Sequence, residues 1–163
     1  MFRPLFLSAA LVVSSAVHAA PGDITLEFMA SPEGFTSGPS LGHAFFCIGL
    51  DLNSGIKEDC FGFYAKTSAG MFVGGPGVVN SEFQKNPGRF ANVVSDFKTT
   101  ISESQRKAIY QVISDFNAKN YSLIASSCID LEMAIAQAAG LRAPPRSTIQ
   151  LPRDFVDGIK KIN

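Results

Sequence analysis

Apolar and polar residues alternate with a period of two over residues 23–29, where Ile24, Leu26 and Phe28 share a side, which predicts a first β-strand. Residues 31–42 hold three glycines and two prolines and predict a loop long enough to wall a binding site. Residues 43–50, His-Ala-Phe-Phe-Cys-Ile-Gly-Leu, are almost continuously apolar and predict a strand buried on both faces. A turn is predicted over 51–59, around Asn53-Ser54-Gly55, with a returning strand over 60–64. Residues 67–86, centred on Gly74-Gly75-Pro76-Gly77, read as irregular, and 90–98 as a further strand.

Beyond Ser102 the period lengthens. Ser102 and Gln105 form a capping-box pattern, and Ile109, Val112, Ile113 and Phe116 recur at helical spacing, which predicts an amphipathic helix over 103–118. A polar turn from Asn120 launches a second helix at Cys128, with Ser127 as N-cap, Asp130 three residues on and Gly140 as the natural stop. Ile129, Leu131, Met133, Ala134, Ile135 and Ala136 make that helix apolar nearly all round, so it is expected to be buried. Pro152 opens a short terminal helix reaching Ile162. Strands followed by helices predict a single α+β domain over 20–163, an antiparallel sheet packed against the cysteine-bearing helix.

The first residues carry targeting information. Arg3, the apolar run 5–17 and Val17-His18-Ala19 form a signal-peptide pattern over 1–19. The expected product is exported, periplasmic or secreted, with no transmembrane segment. Lys and Arg number 14 against 14 Asp and Glu, a balance that gives no reason to invoke nucleic acid or an anionic membrane.

Counting His and Cys narrows the chemistry. Of two histidines, His18 leaves with the leader and His43 stays; the cysteines are Cys47, Cys60 and Cys128. An odd number in an oxidising compartment predicts one bridge, most simply Cys47 to Cys60, with Cys128 free. A register that sets Cys47 opposite Cys60 also sets Tyr64 opposite His43 on one sheet face. Cys128, in the first turn of its helix, is placed where free N–H groups and the helix dipole lower a thiol's pKa and hold an oxyanion. His43 is the available base, and a third polar group would orient it: Tyr64 first, with Asp59, Asn80 and Glu82 as rivals. A buried helix cysteine is also commonly a small hydrophobe, and a lone histidine a structural residue. Ligands for zinc are too few and scattered, no cofactor motif is present, and Gly-x-Ser-x-Gly is absent.

Gly42-His43-Ala44-Phe45 on one strand, Phe61-Gly62-Phe63-Tyr64 on the next, a Gly-Pro-Gly loop and a late Ser127-Cys128 helix together resemble the circularly permuted papain-like group. That group comprises the permuted NlpC/P60 hydrolases and the lecithin–retinol acyltransferase-like enzymes. The resemblance spans about 42–140, with Ser127 standing where members often have Asn. It implies a papain-like fold, Cys128 as nucleophile and His43 as base. It also implies cysteine amidase or peptidase action on peptidoglycan stem peptides through a thioester, as a cell-wall remodeller or as an antibacterial effector partnered by a cognate inhibitor or immunity protein. The same thioester could instead serve acyl transfer or lipid deacylation. A non-catalytic exported binding or inhibitor module is the reading from a different class.

Overall fold

The computed structural model describes residues 22–33, 41–52, 55–147 and 150–163. The leader expected at 1–19 and most of the loop expected at 31–42 lie outside them. Among the described residues, six antiparallel strands form one sheet: β1 (Ile24–Ser31), β2 (His43–Leu52), β3 (Gly55–Ala65), β4 (Gly75–Ser81), β5 (Ser95–Ile101) and β6 (Asn120–Tyr121), in the order β5-β1-β2-β3-β4-β6. The helices are α1 (Ser68–Val73), α2 (Glu82–Lys85), α3 (Glu103–Asn117), α4 (Cys128–Ala138) and α5 (Pro152–Ile162). The α+β class expected from the sequence is therefore present. Among the described residues, no helix is long and apolar enough to cross a membrane.

Alternation along β2 sorts the core into two. Ala44, Phe46 and Ile48 join Leu26 and Phe28 of β1 and the buried residues of α3, α4 and α5 in the main core. Phe45 and Cys47 point the other way, into a smaller cluster with Met29, Cys60, Phe90 and Val93. This is why β2 reads as continuously apolar: both its faces are covered.

The predicted hairpin register holds. Cys47 pairs with Cys60 and Phe45 with Gly62, and the Cys47 and Cys60 sulfurs lie at disulfide distance. A bridge across 13 residues restricts the unfolded chain by about 3 kcal/mol. Reduction is therefore expected to lower unfolding stability by about that amount, read from urea titrations with and without reductant; unchanged midpoints would show the bridge to be dispensable.

Three expected boundaries move. β3 starts at Gly55 rather than 60, because Lys57, Glu58 and Asp59 continue the ladder against Leu50, Gly49 and Ile48. The Glu58 charge is served there: Lys98 of β5 reaches both Glu27, at 3.2 Å, and Glu58, at 3.6 Å. Residues 67–86 are not irregular but hold α1, β4 and α2. β4 escapes a hydrophobicity pattern because Gly75, Pro76 and Gly77 occupy its start, and Gly77 must be small: a Cβ there would sit 2.4 Å from the Phe63 ring. The strand expected at 90–98 begins only at Ser95, because Pro87 sets off a 3-10 turn over Pro87–Asn92.

The late helices behave as read. Ser102 and Gln105 form the capping box of α3. Ser127 and Asp130 form that of α4, the Ser127 N–H donating to Asp130 at 2.7 Å. Gly140 follows α4 with φ +73°, the left-handed conformation that glycine tolerates best.

Candidate active site

His43 is the first residue of β2 and follows Gly42, whose φ is +80° and where a Cβ would lie 2.8 Å from the Ser31 carbonyl oxygen. The imidazole is buried and stacks on the Tyr64 ring, centroids 4.5 Å apart. The register inference thus correctly placed Tyr64 beside His43, but the carboxylate that pairs with the ring belongs to Glu82. Its Oε1 lies 3.1 Å from His43 Nε2 and also accepts from the Tyr64 hydroxyl. Glu82 is wholly buried at the start of α2, and its second oxygen lies 3.4 Å from Arg89 Nε. The Tyr64 hydroxyl is also 3.3 Å from the Asn86 side-chain amide.

Of the four candidates for a third residue, Glu82 and Tyr64 meet His43. Asn80 stands opposite Gly62 on β4, and Asp59 lines a separate cavity with Arg106 and Tyr110. Neither has a hydrogen bond to the imidazole among the described residues. Arg89 and Asn86 were not anticipated. One signal pointed to this spot: Gly62, between two phenylalanines in a strand, where glycine often marks the close approach of another group. A Cβ there would lie 2.1 Å from Glu82 Oε1 and 2.4 Å from His43 Nε2.

The charges follow from these contacts. Burial pushes the Glu82 carboxyl up, but its hydrogen bonds with His43 and Tyr64 and the Arg89 guanidinium outweigh this and hold it below the usual carboxylate range. Burial lowers the His43 pKa, and Arg89 adds to this, while Glu82 pulls the other way. Burial raises the Tyr64 hydroxyl, and the Glu82 charge raises it further. The resting state is a neutral imidazole on an ionised carboxylate.

Cys128 is the free cysteine among the described residues and is buried at the first turn of α4. Its sulfur accepts from the backbone N–H groups of Ala44 and Ile129, which sets it against the backbone of the residue next to His43. The expectation that the helix start would lower its pKa is overturned. Burial, reinforced by the nearby Glu132 carboxyl, pushes the thiol up to about 11, and the two N–H groups and Arg89 offset only part of this. The expected thiol–imidazole hydrogen bond is not formed in this structure: the thiol's partners are backbone groups, and His43 Nε2 is taken by Glu82.

The two groups open onto adjoining cavities. One, of about 220 Å³, is lined by Cys128, Ser127, Ile124, Arg146 and Gln150 among others. The second, of about 390 Å³, is lined by His43, Tyr64, Met71, Phe72 and Arg89 among others. Leu41, Gly42, Tyr121 and Leu123 border both, so the two form one cleft across the start of β2. Arg146 braces the turn before α4, reaching Asp130 at 3.3 Å, the Leu123 carbonyl at 3.2 Å and Ser127 Oγ at 3.3 Å.

One turn beyond Cys128, Glu132 is wholly buried, and among the described residues neither carboxyl oxygen has a hydrogen-bond partner. Burial, with the Glu82 charge added, raises its pKa well above the usual range. Near-continuous apolarity in α4 concealed this residue.

No family model, curated protein or solved structure matches the chain.

Proposed function

We propose that this chain is an exported cysteine hydrolase of the permuted papain-like kind, working through a thioester on Cys128. The observation that carries the reading is the buried Glu82–His43 pair on the same cleft as the Cys128 thiol. Glu82 fixes the ring by holding Nε2, which leaves Nδ1 as the nitrogen that takes the thiol proton. The order of the parts, histidine strand before cysteine helix, agrees with the permuted arrangement.

Reaction begins when a bound acyl group displaces water from the cleft and His43 accepts the thiol proton. Sulfur attacks the carbonyl carbon, and the Cys128 N–H, at the first helical position where no intrahelical acceptor is available, donates to the oxyanion. Protonated His43 gives its proton to the leaving group, and the thioester forms. Water, deprotonated by His43, then releases the acid and restores the thiol. With its thiol pKa raised, the free protein is expected to react slowly with iodoacetamide, and substrate binding would supply the activation; fast labelling below neutral pH would show the thiolate already formed.

Leu41, Leu123, Ile124, Ile129, Met71 and Phe72 in the cleft favour an apolar acyl group as substrate. The stem-peptide amide is a second reading, favoured by Ser127, Arg146 and Gln150 at the Cys128 cavity, which offer polar contacts to a peptide.

The test pairs soluble p-nitrophenyl esters of two to twelve carbons with purified sacculi, offered to the wild type, Cys128→Ala and His43→Gln. The expected result is an acyl adduct on Cys128 by mass spectrometry and turnover at least about 1,000-fold lower in Cys128→Ala. Stem-peptide products without ester turnover would favour the amidase. Neither adduct nor Cys128-dependent product from any substrate would leave the non-catalytic module standing.

A further inference from the structure

The short helix α1 is built the wrong way round for a core element. Its buried residue is Gly70, while Met71, Phe72 and Val73 are 40, 73 and 85 % exposed. Across the cleft, Leu41 is 60 % and Ile124 68 % exposed. Met71, Phe72, Leu41 and Ile124 all line the two cavities, so these side chains ring its mouth rather than scatter over the surface. An apolar patch gathered at one opening marks an interaction surface.

The chain as a whole is charge-balanced, but the lysines beside that opening make its rim basic. Among the described residues no Asp or Glu lines either cavity; the two arginines that do, Arg89 and Arg146, are each paired with a carboxylate set behind them, Glu82 and Asp130. Lys66 is exposed at the foot of α1, directly after the cavity-lining Ala65, and Lys85 reaches over the Tyr64 ring at 5.8 Å. A second copy of the chain is a poor occupant, since a twofold contact would bring the basic rim onto itself. Apolar tips among basic residues fit the boundary of an anionic bilayer, where rings and aliphatic chains enter the acyl layer and Lys and Arg meet phosphates.

We infer that the rim formed by Leu41, Met71, Phe72, Val73 and Ile124, flanked by Lys66 and Lys85, docks the cleft on an anionic phospholipid surface. The inference rests on the apolar-acyl reading for its purpose: docking would bring acyl groups to the mouth without exposing them to water.

Binding is tested apart from chemistry, using the processed chain from Ala20 onward, bearing Cys128→Ala, and co-sedimentation with vesicles of phosphatidylglycerol and phosphatidylcholine. The expected result is binding at least ten-fold stronger than to phosphatidylcholine alone, lost in 0.5 M salt. Phe72→Asp/Val73→Asp and, on the opposite wall, Ile124→Asp are each expected to weaken it at least ten-fold with unchanged circular dichroism. Lys66→Glu/Lys85→Glu is expected to abolish the preference for phosphatidylglycerol. Absence of vesicle binding, or binding indifferent to both apolar rim variants, overturns the inference, as does equal binding to neutral and anionic vesicles. Ester turnover in lipid-free buffer with no vesicle binding would overturn the docking alone; vesicle binding with no Cys128 adduct would overturn the catalytic reading alone.

Discussion

Gly62→Ala is expected to lower the proposed Cys128-dependent turnover by at least about 100-fold, because a small displacement of the proposed base is enough for such a loss. The added methyl would lie 2.1 Å from Glu82 Oε1 and 2.4 Å from His43 Nε2, so the carboxylate and ring cannot keep their 3.1 Å contact. Glu82 is wholly buried and yields only by giving up its contacts with His43, Tyr64 or Arg89, and His43 yields only by swinging into the cavity that it lines, away from the carboxylate. Overpacking of this kind costs about 1–3 kcal/mol, so the variant should remain folded at room temperature. Combining Gly62→Ala with Glu82→Ala supplies the discriminating measurement. If the methyl acts through the carboxylate, the pair should be scarcely worse than Glu82→Ala alone. Full activity in Gly62→Ala would show that the His43–Glu82 contact has no part in turnover.

Glu132→Leu is expected to stabilise the protein, contrary to the usual result of altering a buried residue. A carboxyl buried without a hydrogen bond costs about 1–3 kcal/mol, and neither oxygen of Glu132 has a partner among the described residues. A leucine of similar size replaces that cost with apolar burial beside Leu131 and Ile135. The gain should depend on pH with a definite sign. The native carboxyl titrates well above the usual range. Below the ordinary glutamate pKa both folded and unfolded chains hold the proton, and Glu132 is least harmful there. As pH rises toward the native pKa, the unfolded chain releases its proton first, so wild-type stability falls relative to the variant. Urea titrations at pH 4 and pH 8 should therefore show a larger advantage for Glu132→Leu at pH 8. A variant less stable than wild type at both pH values would mean that Glu132 has a favourable role in the folded state.

How far the sequence could be read depended on whether a feature was local. The capping boxes at Ser102 and Ser127 are written within four residues and were read correctly. The hairpin was readable because its two cysteines fix a register, and the register carries Tyr64 to His43 without further information. Glu82 is different. It reaches His43 through β4, whose glycines and proline hide the strand, and through a ladder that pairs Phe61 with Ser81. Only the tertiary pairing makes it a stronger partner than Asp59 or Asn80. The thiol's pKa failed for a related reason. The helix dipole is visible in the sequence, but burial of the sulfur and of Glu132 beside it is not, and burial outweighs the dipole.

The Cys47–Cys60 bridge lies one pair along the same face from Phe45 and Gly62, and Gly62 faces the His43–Glu82 contact. A slip of one residue between β2 and β3 would turn His43 away from Tyr64 and Glu82 while leaving a hairpin that still looks sound. The two sulfurs can meet only in the correct alignment. Their bond therefore serves as a ruler: an oxidised chain has already been checked for the alignment that joins His43 to Glu82, and a misaligned one is identifiable by the two thiols it still carries.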